Sequence, residues 1–464
     1  MEGAAFADKV TAACRRMCGG THDIQGLRRL SGGANMESWW LEYNGRALVL
    51  RRLPEGASEL DLPGRIDLNT EAKVISAAQK HGVKAPEIIG TLTPEDGLGP
   101  GFFMAAIEGE TLPQKIFRDP DCAAAVKNLS SDCALALSKI HAVPMQNLPD
   151  GLPRHSPQEM VTELARQYES WGASIPVFDL AIGWLLENLP TPREPVLLHG
   201  DFRMGNLMID TDGLSGVLDW ELAHLGDPAQ DIGYLCTPSW RFGQYEKTVG
   251  GLGALPAFLE IYNRETGAHI SERDVTYWMI YSALWWGTVC VSMAEFWRSG
   301  LDRSLERAVI GRRTSETEID LMLMLEEVMG LTTEPLDWQQ PDPVKAAGET
   351  GISELLAALE DWNANNNIEN ASGRAKFAAR VAGNALGILK RGAERGRLYA
   401  LEKAKRLKAL GLTPQSLCVT CRAGEVSPEL AAHLRVDLLE RLSIDQPKYA
   451  GYKAALEKWV KADV

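Results

Sequence analysis

The chain has 464 residues, of which 45% are hydrophobic and 24% charged, which are proportions typical of a folded globular protein. The length suffices for about three domains of average size. Lys and Arg number 48 against 62 Asp and Glu, so the formal net charge is −14. Because a chain with this charge repels a phosphate backbone, we expect no nucleic-acid partner.

The cysteines and the N-terminus indicate a cytoplasmic protein. The eight cysteines are few for a chain of this size, and the first residues lack the basic and then apolar order of a secretion signal. Residues 275–294 form an uncharged run that is long enough to cross a bilayer. The run contains polar residues such as Thr288 and Ser292, and the sequence has no second run of this kind. We therefore predict a buried helix and no membrane partner.

The first hundred residues have the pattern of a small sheet. Two apolar runs, 38–43 and 47–50, flank Asn44-Gly45, and this pattern is the strongest short-range signal for a β-hairpin. A helix and two more strands are predicted after the hairpin, at 68–78, 88–90 and 102–104. Residues 1–107 are therefore predicted to form a small α+β unit.

Helical periodicity dominates the rest of the chain. Residues 108–332 are mainly helical, with one polar, glycine-rich interruption at 196–233. Residues 333–348 contain three prolines and few apolar residues, which is the composition of a linker. Residues 349–464 are predicted to form an all-α domain, with amphipathic helices at 352–362, 375–389 and 430–442.

The interruption carries the residues that suggest a chemistry. His199, Asp201 and Asn206 lie in a loop between two apolar runs, and Asp219 ends a third run. Phosphoryl transfer needs a carboxylate that orients the attacking hydroxyl and accepts its proton, together with oxygen ligands for Mg²⁺. Asp201 suits the first role, and Asn206 with Asp219 suits the second.

Together these residues resemble the aminoglycoside phosphotransferase and choline kinase branch of the protein-kinase-like superfamily. The similar residues are 199–201, Asn206 and Asp219, followed by a Gly-Asp-Pro at 226–228. Within the branch, the sequence most resembles phosphotransferase modules that are fused to acyl-CoA dehydrogenases. The resemblance covers roughly residues 25 to 330.

The resemblance implies a bilobal α+β fold and a cofactor pair. Residues 1–107 would be a small β-rich N-lobe that binds the nucleotide, and residues 108–332 a large helical C-lobe for catalysis and acceptor binding. The implied cofactors are ATP and Mg²⁺. The implied reaction transfers the γ-phosphate to a hydroxyl of a small molecule.

A glycine loop before the hairpin is the candidate phosphate cradle. Gly32 and Gly33 would let backbone N–H groups approach phosphate closely, and Asn35 follows them. The family often has a serine where this chain has Ala34, so one hydroxyl that faces phosphate is missing.

The resemblance also assigns nucleotide contacts to the strands. Arg51 takes the place of the phosphate-binding lysine of kinases, with Glu71 as its partner, and its planar fork can bridge phosphate and carboxylate. The alternative is an exposed cation at the end of a strand. Arg52 should point to the opposite face. Met104 and Ala106 lie in the expected hinge, whose backbone would read the adenine edge.

Three other residues near the loop have supporting roles in this interpretation. His199 belongs to the catalytic loop with Asp201 and is expected to brace it through a hydrogen bond. Asp227 and Asp231 are expected to cap a helix or to brace the same loop.

The acceptor is predicted from aromatic residues that follow the metal loop. They form either part of the core or an apolar acceptor pocket. The resemblance to dehydrogenase-fused modules suggests a hydroxyacyl acceptor or its CoA thioester. The alternatives are an aminoglycoside or amino-alcohol kinase and a catalytically silent nucleotide-binding scaffold. The aromatic residues are Tyr234, Trp240, Phe242, Tyr277, Trp278, Tyr281, Trp285, Trp286 and Trp297.

The C-terminal unit resembles a small helical domain of unassigned role, with matching residues at 379–386 and 442–447. Between Arg374 and Lys408 it carries eleven Lys or Arg and two Glu, a local balance of 11 − 2 = +9. We expect this basic face to dock on the acidic kinase body or to receive the phosphates of a CoA-like substrate. A solvated charged face is the alternative.

Overall fold

The computed structural model describes residues 2–30, 36–54, 64–331, 334–343 and 348–461. The predicted N-lobe contains an antiparallel sheet with the strand order β1-β2-β3-β5-β4. Its elements are α1 (Glu2–Cys18), β1 (Gln25–Arg29), β2 (Glu37–Tyr43), β3 (Arg46–Arg52), α2 (Leu68–Lys80), β4 (Ile88–Thr91) and β5 (Gly101–Ala105).

The predicted hairpin is confirmed as β2–β3. Tyr43 pairs with Arg46, and the two residues between them both have positive φ, +50° at Asn44 and +73° at Gly45. A two-residue type I′ turn requires this combination. The predicted helix and the other two strands correspond to α2, β4 and β5.

Helices cover both faces of this sheet. The α1 helix, which the sequence analysis missed, buries Val10 and Cys14 against Leu50 and Phe103. Phe102, the neighbour of Phe103, points to the other face and joins the core that includes α2. Both faces are therefore apolar, and β3 lies in the middle of the sheet with its end directed at the second lobe.

The second lobe is mainly helical and holds two short antiparallel strand pairs, β6 with β9 and β7 with β8. Its elements are α3 (Pro113–Ile116), α4 (Ala123–His141), α5 (Pro157–Ser170), α6 (Pro176–Glu187), β6 (Val196–Leu198), β7 (Leu207–Asp210), β8 (Gly213–Val217), β9 (His224–Gly226), α7 (Ala229–Cys236), α8 (Leu255–Thr266), α9 (Glu272–Ser299), α10 (Leu305–Ile310) and α11 (Thr314–Met329). The architecture is the expected one, a small β-rich lobe and a large helical lobe.

The uncharged run at 275–294 lies within α9 and forms a buried helix, as predicted. Trp278, Ile280 and Leu284 are almost inaccessible to solvent. Among the residues that the structure describes, no helix combines the length and the apolar character needed to cross a bilayer.

The C-terminal unit is all-α, as predicted, and the three expected helices are α12, α13 and α15. Its elements are α12 (Ile352–Asn363), α13 (Gly373–Ala409), α14 (Pro414–Arg422), α15 (Pro428–Asp445) and α16 (Ala450–Trp459). The helix predicted at 375–389 continues for twenty residues beyond its predicted end.

The later helices of this unit dock on α11 of the second lobe. Arg441 Nη1 on α15 donates to Glu318 Oε2 at 2.6 Å. Arg435 and Trp459 both donate to the buried carboxylate of Glu326, the indole nitrogen at 2.9 Å. Buried carboxylates require partners of this kind, so the two surfaces depend on each other.

The structure meets the expectation for the basic face only in part, because α13 packs on α10 of the second lobe while several of its cations pair elsewhere. Lys403 and Arg406 pair with Asp437 and Glu440 on α15, at 2.9 and 2.6 Å, and not with residues of the second lobe. Lys405 pairs with Glu402 of its own helix. These cations are therefore paired inside the C-terminal unit, and arginines of a later helix form ion pairs with α11. Binding of the phosphates of a CoA-like substrate stays a prediction.

Part of the predicted linker is anchored to the C-terminal unit. Leu336 N–H donates to the carbonyl of Trp459 at 2.7 Å, and Lys461 N–H donates to the carbonyl of Leu336 at 3.1 Å. The division at 107, 332 and 348 stays a prediction.

Asp320 on α11 provides a test of the docked state through pH. Burial raises the pKa of Asp320 to about 8, against a hydrogen bond from Tyr449 that lowers it. In the unfolded chain the carboxyl of an Asp has a pKa of about 3.9, so as the pH rises it loses its proton well before the folded protein does. Stability should therefore fall as the pH rises from about 4 to about 8.

We expect Asp320→Asn to flatten this part of the pH profile, because an amide cannot ionise. Urea unfolding at pH 5 and pH 8 should show the variant gaining stability relative to the parent at the higher pH. Glu187→Gln, which changes an exposed carboxylate, should shift stability equally at both values. An equal shift for Asp320→Asn would contradict the assignment.

Candidate active site

Asp201 lies in the loop after β6, and its carboxylate is held on both oxygens. Asn206 Nδ2 donates to Oδ2 at 2.6 Å, and Arg203 Nε donates to Oδ1 at 2.9 Å. The same Asn206 nitrogen also donates to the Asp201 carbonyl at 2.9 Å. Both amide hydrogens of Asn206 are thus used, which leaves its Oδ1 as an acceptor oxygen for another ligand.

His199 braces this loop, as expected. Its Nδ1 accepts from Asp201 N–H at 3.2 Å, and its Nε2 donates to the carbonyl of Leu218 at 3.0 Å. Burial lowers the pKa of His199, although nearby carboxylates oppose the shift. The ring is therefore neutral and links the Asp201 loop to the residue before Asp219.

Asp231 braces the loop from the other side. Its two carboxylate oxygens accept from the N–H groups of His199 and Gly200, at 2.7 and 2.9 Å. Asp227 accepts from Ala229 N–H at 3.0 Å, at the start of α7. The expected supporting roles of Asp227 and Asp231 are both confirmed.

Asp219 follows β8, and a backbone hydrogen bond of the preceding residue holds it close to Asn206. Leu218 N–H donates to the Asn206 carbonyl at 2.8 Å, which brings the two predicted metal ligands to one edge. Asp219 has a φ of +65°, which is uncommon for a residue other than glycine and is tolerated best by Asp and Asn. The backbone turns sharply here, and the side chain remains about one third exposed.

Arg51 joins the two lobes through three carboxylates. Its Nη2 donates to Asp219 Oδ1 at 2.7 Å and to Glu221 Oε2 at 2.6 Å, and its Nε lies 3.3 Å from Glu71. The predicted Arg51–Glu71 pair is therefore present. Burial tends to raise the pKa of Asp219, but Arg51 and other cations bring it below its ordinary value.

Glu221 and Arg65 were missed by the sequence analysis as members of this site. Arg65 Nη2 donates to Glu221 Oε1 at 2.7 Å, so Glu221 receives one arginine on each oxygen. Burial and the charge of Asp219 raise the pKa of Glu221. The spacing of Glu221, two residues after Asp219, was the available signal.

The remaining nucleotide predictions have different outcomes. Arg52 points to the opposite face, as predicted, and pairs with Glu37 at 2.8 Å. Met104 is in β5, paired with β3 and β4, and the N–H of Ala106 already donates to the carbonyl of Ala47 at 3.0 Å. That donor is not free for adenine, and the hinge role of both residues stays a prediction. Three predicted residues lie outside the described residues: Gly32, Gly33 and Asn35.

An aromatic cluster adjoins the Asp201 loop. The guanidinium of Arg203 lies 5.1 Å from the ring centre of Trp240, which packs on Trp286 at 5.2 Å. Tyr234 packs on Trp240 at 5.7 Å, and burial with the charge of Asp201 raises its pKa well above the ordinary value. Tyr277, Trp278 and Tyr281 are core residues, which confirms the core alternative for that part of the set; Trp297 and Phe242 are partly exposed.

The cluster contains buried donors without partners. Among the described residues, the indole nitrogens of Trp240 and Trp286 and the hydroxyl of Ser239 have no hydrogen-bond partner. Arg313 lies over the Trp286 ring at 5.6 Å. Buried unpaired donors are costly, by about 1–3 kcal/mol each, and an indole can only donate. A ligand that pairs with them must supply acceptor oxygens.

The comparison with models of protein families shows which family the chain belongs to. The model of the phosphotransferase enzyme family matches residues 26–270, which is more than half of the chain. The chain therefore belongs to this family. A second model, a domain of unknown function (DUF6285), matches residues 369–449 in the C-terminal unit.

Relatives and solved structures agree with this assignment. The chain is 28% identical to mouse acyl-CoA dehydrogenase family member 10 over 47% of its own length, but it spans only 21% of that protein. It is 26% identical to aminoglycoside 3'-phosphotransferase of Salmonella typhimurium over 34% of this chain and 55% of that protein. A Ralstonia eutropha protein assigned to the aminoglycoside phosphotransferases has the same fold, with a TM-score of 0.57 and 21% identity over 69% of this chain and 98% of that one.

Membership of a phosphotransferase enzyme family fits the cofactor pair that the sequence implies, ATP and Mg²⁺. The donor set fits Mg²⁺, which prefers oxygen ligands and takes part of its shell from substrate phosphates and water. Asn206 Oδ1 and the carboxylate of Asp219 would hold the ion. The sequence-predicted role of Arg51 in binding phosphate stays a prediction.

Arg51 and Arg52 form a matched pair for testing the nucleotide site. Arg51→Met should weaken Mg-ATP binding by about tenfold or more, since a charged hydrogen bond contributes about 1.5–3 kcal/mol. Arg52→Met removes an equal charge on the other face of β3 and should leave the affinity within about twofold. Titration calorimetry measures both, and equal losses would contradict the assignment.

Proposed function

We propose that this protein is an ATP- and Mg²⁺-dependent kinase that phosphorylates a hydroxyl of a small hydroxyacyl compound, either the free acid or its CoA thioester. The observation that carries the proposal is the Asp201 loop. It combines a fixed carboxylate with an amide oxygen of Asn206 and a carboxylate of Asp219, in a chain of the phosphotransferase family.

Each residue has a defined part in the proposed reaction. Asp201 orients the acceptor hydroxyl and takes its proton as the new oxygen–phosphorus bond forms and the bond to the ADP oxygen breaks. Arg203 and Asn206 hold the Asp201 carboxylate in place. His199 is a positioning residue, because both its ring nitrogens are bonded to the backbone.

The other residues of the site would hold the nucleotide. Bound Mg²⁺ neutralises charge on the phosphates. Asn206 and Asp219 are the proposed ligands. Arg51 is proposed to contact phosphate while Glu71 and Glu221 keep its guanidinium in the cleft between the lobes.

The donors near Asp201 support an oxygen-rich acceptor. The groups of Trp240, Trp286 and Ser239 would pair with a carboxylate or an acyl carbonyl. A polycationic aminoglycoside would need a dense set of carboxylates instead. The names of several relatives, members of the acyl-CoA dehydrogenase family, also favour an acyl compound.

The first experiment is a coupled ADP-release assay with Mg-ATP. The acceptors are 3- and 4-hydroxyacids, their CoA thioesters, choline-like amino alcohols and aminoglycosides. We expect turnover with the hydroxyacyl group, and Asp201→Asn should reduce it by about 100- to 1,000-fold, the usual cost of losing one stabilising group in a transition state. Asp210→Asn, in the neighbouring β7–β8 turn, is the control and should keep full turnover.

Each other result of this assay has a defined meaning. Turnover confined to aminoglycosides or amino alcohols would replace the proposed acceptor while keeping the kinase. Mg-ATP binding without turnover on the whole panel would favour the scaffold alternative. Full activity of Asp201→Asn would contradict the catalytic assignment.

A pair of tryptophans on α9 tests the acceptor pocket. Trp286→Phe removes one unpaired donor and should raise the KM for the hydroxyacyl acceptor by about 3- to 10-fold, since a neutral hydrogen bond contributes about 0.5–1.5 kcal/mol. The KM for ATP should not change. Trp297→Phe, at the exposed end of the same helix, should alter neither constant. Equal effects of the two variants would exclude this pocket.

A further inference from the structure

One face of α12 carries an apolar stripe that the described residues leave open to solvent. Ile352, Leu355, Leu359 and Trp362 expose between 51 and 71% of their surface. Their spacing of three, four and three residues places all four on one face of the helix. A contiguous exposed patch of this kind is typical of a binding surface.

A different face of α12 is already occupied by α13. Asn363 Nδ2 donates to the carbonyl of Ala379 at 2.8 Å, and Lys390 pairs with Glu360 at 3.3 Å. The two helices are therefore antiparallel neighbours. Docking on α11 uses α15 and α16, so the stripe takes no part in it.

We propose that this stripe binds the same stripe of a second copy of the chain, with the two α12 helices antiparallel about a two-fold axis. A symmetric interface must be complementary to itself. The spacing of the stripe reads the same in both directions. Ile352 therefore meets the partner's Trp362, and Leu355 meets the partner's Leu359.

The residues beside the stripe suit a pair of helices. Leu356 is half-buried and lies on the side towards α13, because it shares a helix face with Asn363 seven residues later. Ala358 lies on the other side of the stripe, where its small side chain allows the two backbones to approach. Neither residue is charged, so closing the interface buries no ionised group at these positions.

Charge favours the antiparallel arrangement. Residues 349–371 contain five acids and no Lys or Arg, whereas α13 begins with Arg374, Lys376 and Arg380. Because Asn363 lies beside Ala379, the antiparallel pair brings Glu349 towards the start of the partner's α13. A parallel pair would instead place Glu349 next to its own copy.

The interface is small. A stripe of four residues per copy lies near or below the lower limit of about 1,200 Å² for stable complexes. We therefore expect a reversible dimer with a dissociation constant on the order of micromolar.

Sedimentation velocity of the full chain from about 1 to about 100 μM tests this proposal. The parent should change from monomer to dimer over this range. The double variant Leu355→Glu and Leu359→Glu should remain a monomer throughout. Leu301→Glu, which changes an equally exposed leucine near α10, should dimerise like the parent. A parent that is monomeric at every concentration, or a dimer that the double variant keeps, would overturn the proposal.

Cysteine cross-linking tests the arrangement without disturbing the stripe. Ala358→Cys should form a covalent dimer with a short bis-maleimide, because residue 358 lies close to its own copy beside the axis. Glu349→Cys should not cross-link above the level of the parent, since the two copies of residue 349 lie at opposite ends of the pair. A cross-link at residue 349, or none at residue 358, would contradict the antiparallel pair. Circular dichroism of each variant confirms that it is folded.

Discussion

The guanidinium of Arg51 is the interaction on which the rest of the site depends. It contacts Glu71 and, across the cleft, Asp219 and Glu221, so one buried cation fixes the distance between the lobes. A cation in a poorly solvated cleft requires these carboxylates, and they in turn require the cation. Arg51 is thereby held in the cleft, where the proposed function places the phosphates of the nucleotide. The same arrangement explains why an arginine, with its planar fork, suits this position better than a lysine.

The Asp201 loop is held in the same way, by partners around it rather than by its own sequence. Asp231 receives two loop N–H groups, and His199 connects the loop to the strand end that carries Asp219. The proposed base and the proposed metal ligands are therefore parts of one hydrogen-bonded unit. Phosphoryl transfer needs little covalent chemistry from the protein, so catalysis depends mainly on holding the reacting groups in position, which requires this rigidity.

Local patterns in the sequence predicted the hairpin, α2, the buried α9 and the His199-Gly200-Asp201 loop, since turn chemistry and periodicity act over a few residues. Contacts between residues that lie far apart in the sequence were harder to predict. Glu221 is recognisable only once Arg65 and Arg51 are seen on its two oxygens. The arginines that pair with α11 were not predicted, because net charge does not reveal which cations already have partners. Lys403 and Arg406 are neutralised by α15, and α11 receives Arg435 and Arg441 instead.

The most direct test of the central claim is ³¹P nuclear magnetic resonance of the full chain with Mg-ATP and a 4-hydroxyacid or its CoA thioester. Kinase chemistry predicts a new phosphomonoester resonance that grows as the γ-phosphate signal of ATP declines and ADP appears. With Asn206→Ala in place of the parent, the ester signal should be absent over the same time. Appearance of inorganic phosphate alone, or an unchanged ATP spectrum with every hydroxyl acceptor, would contradict the account.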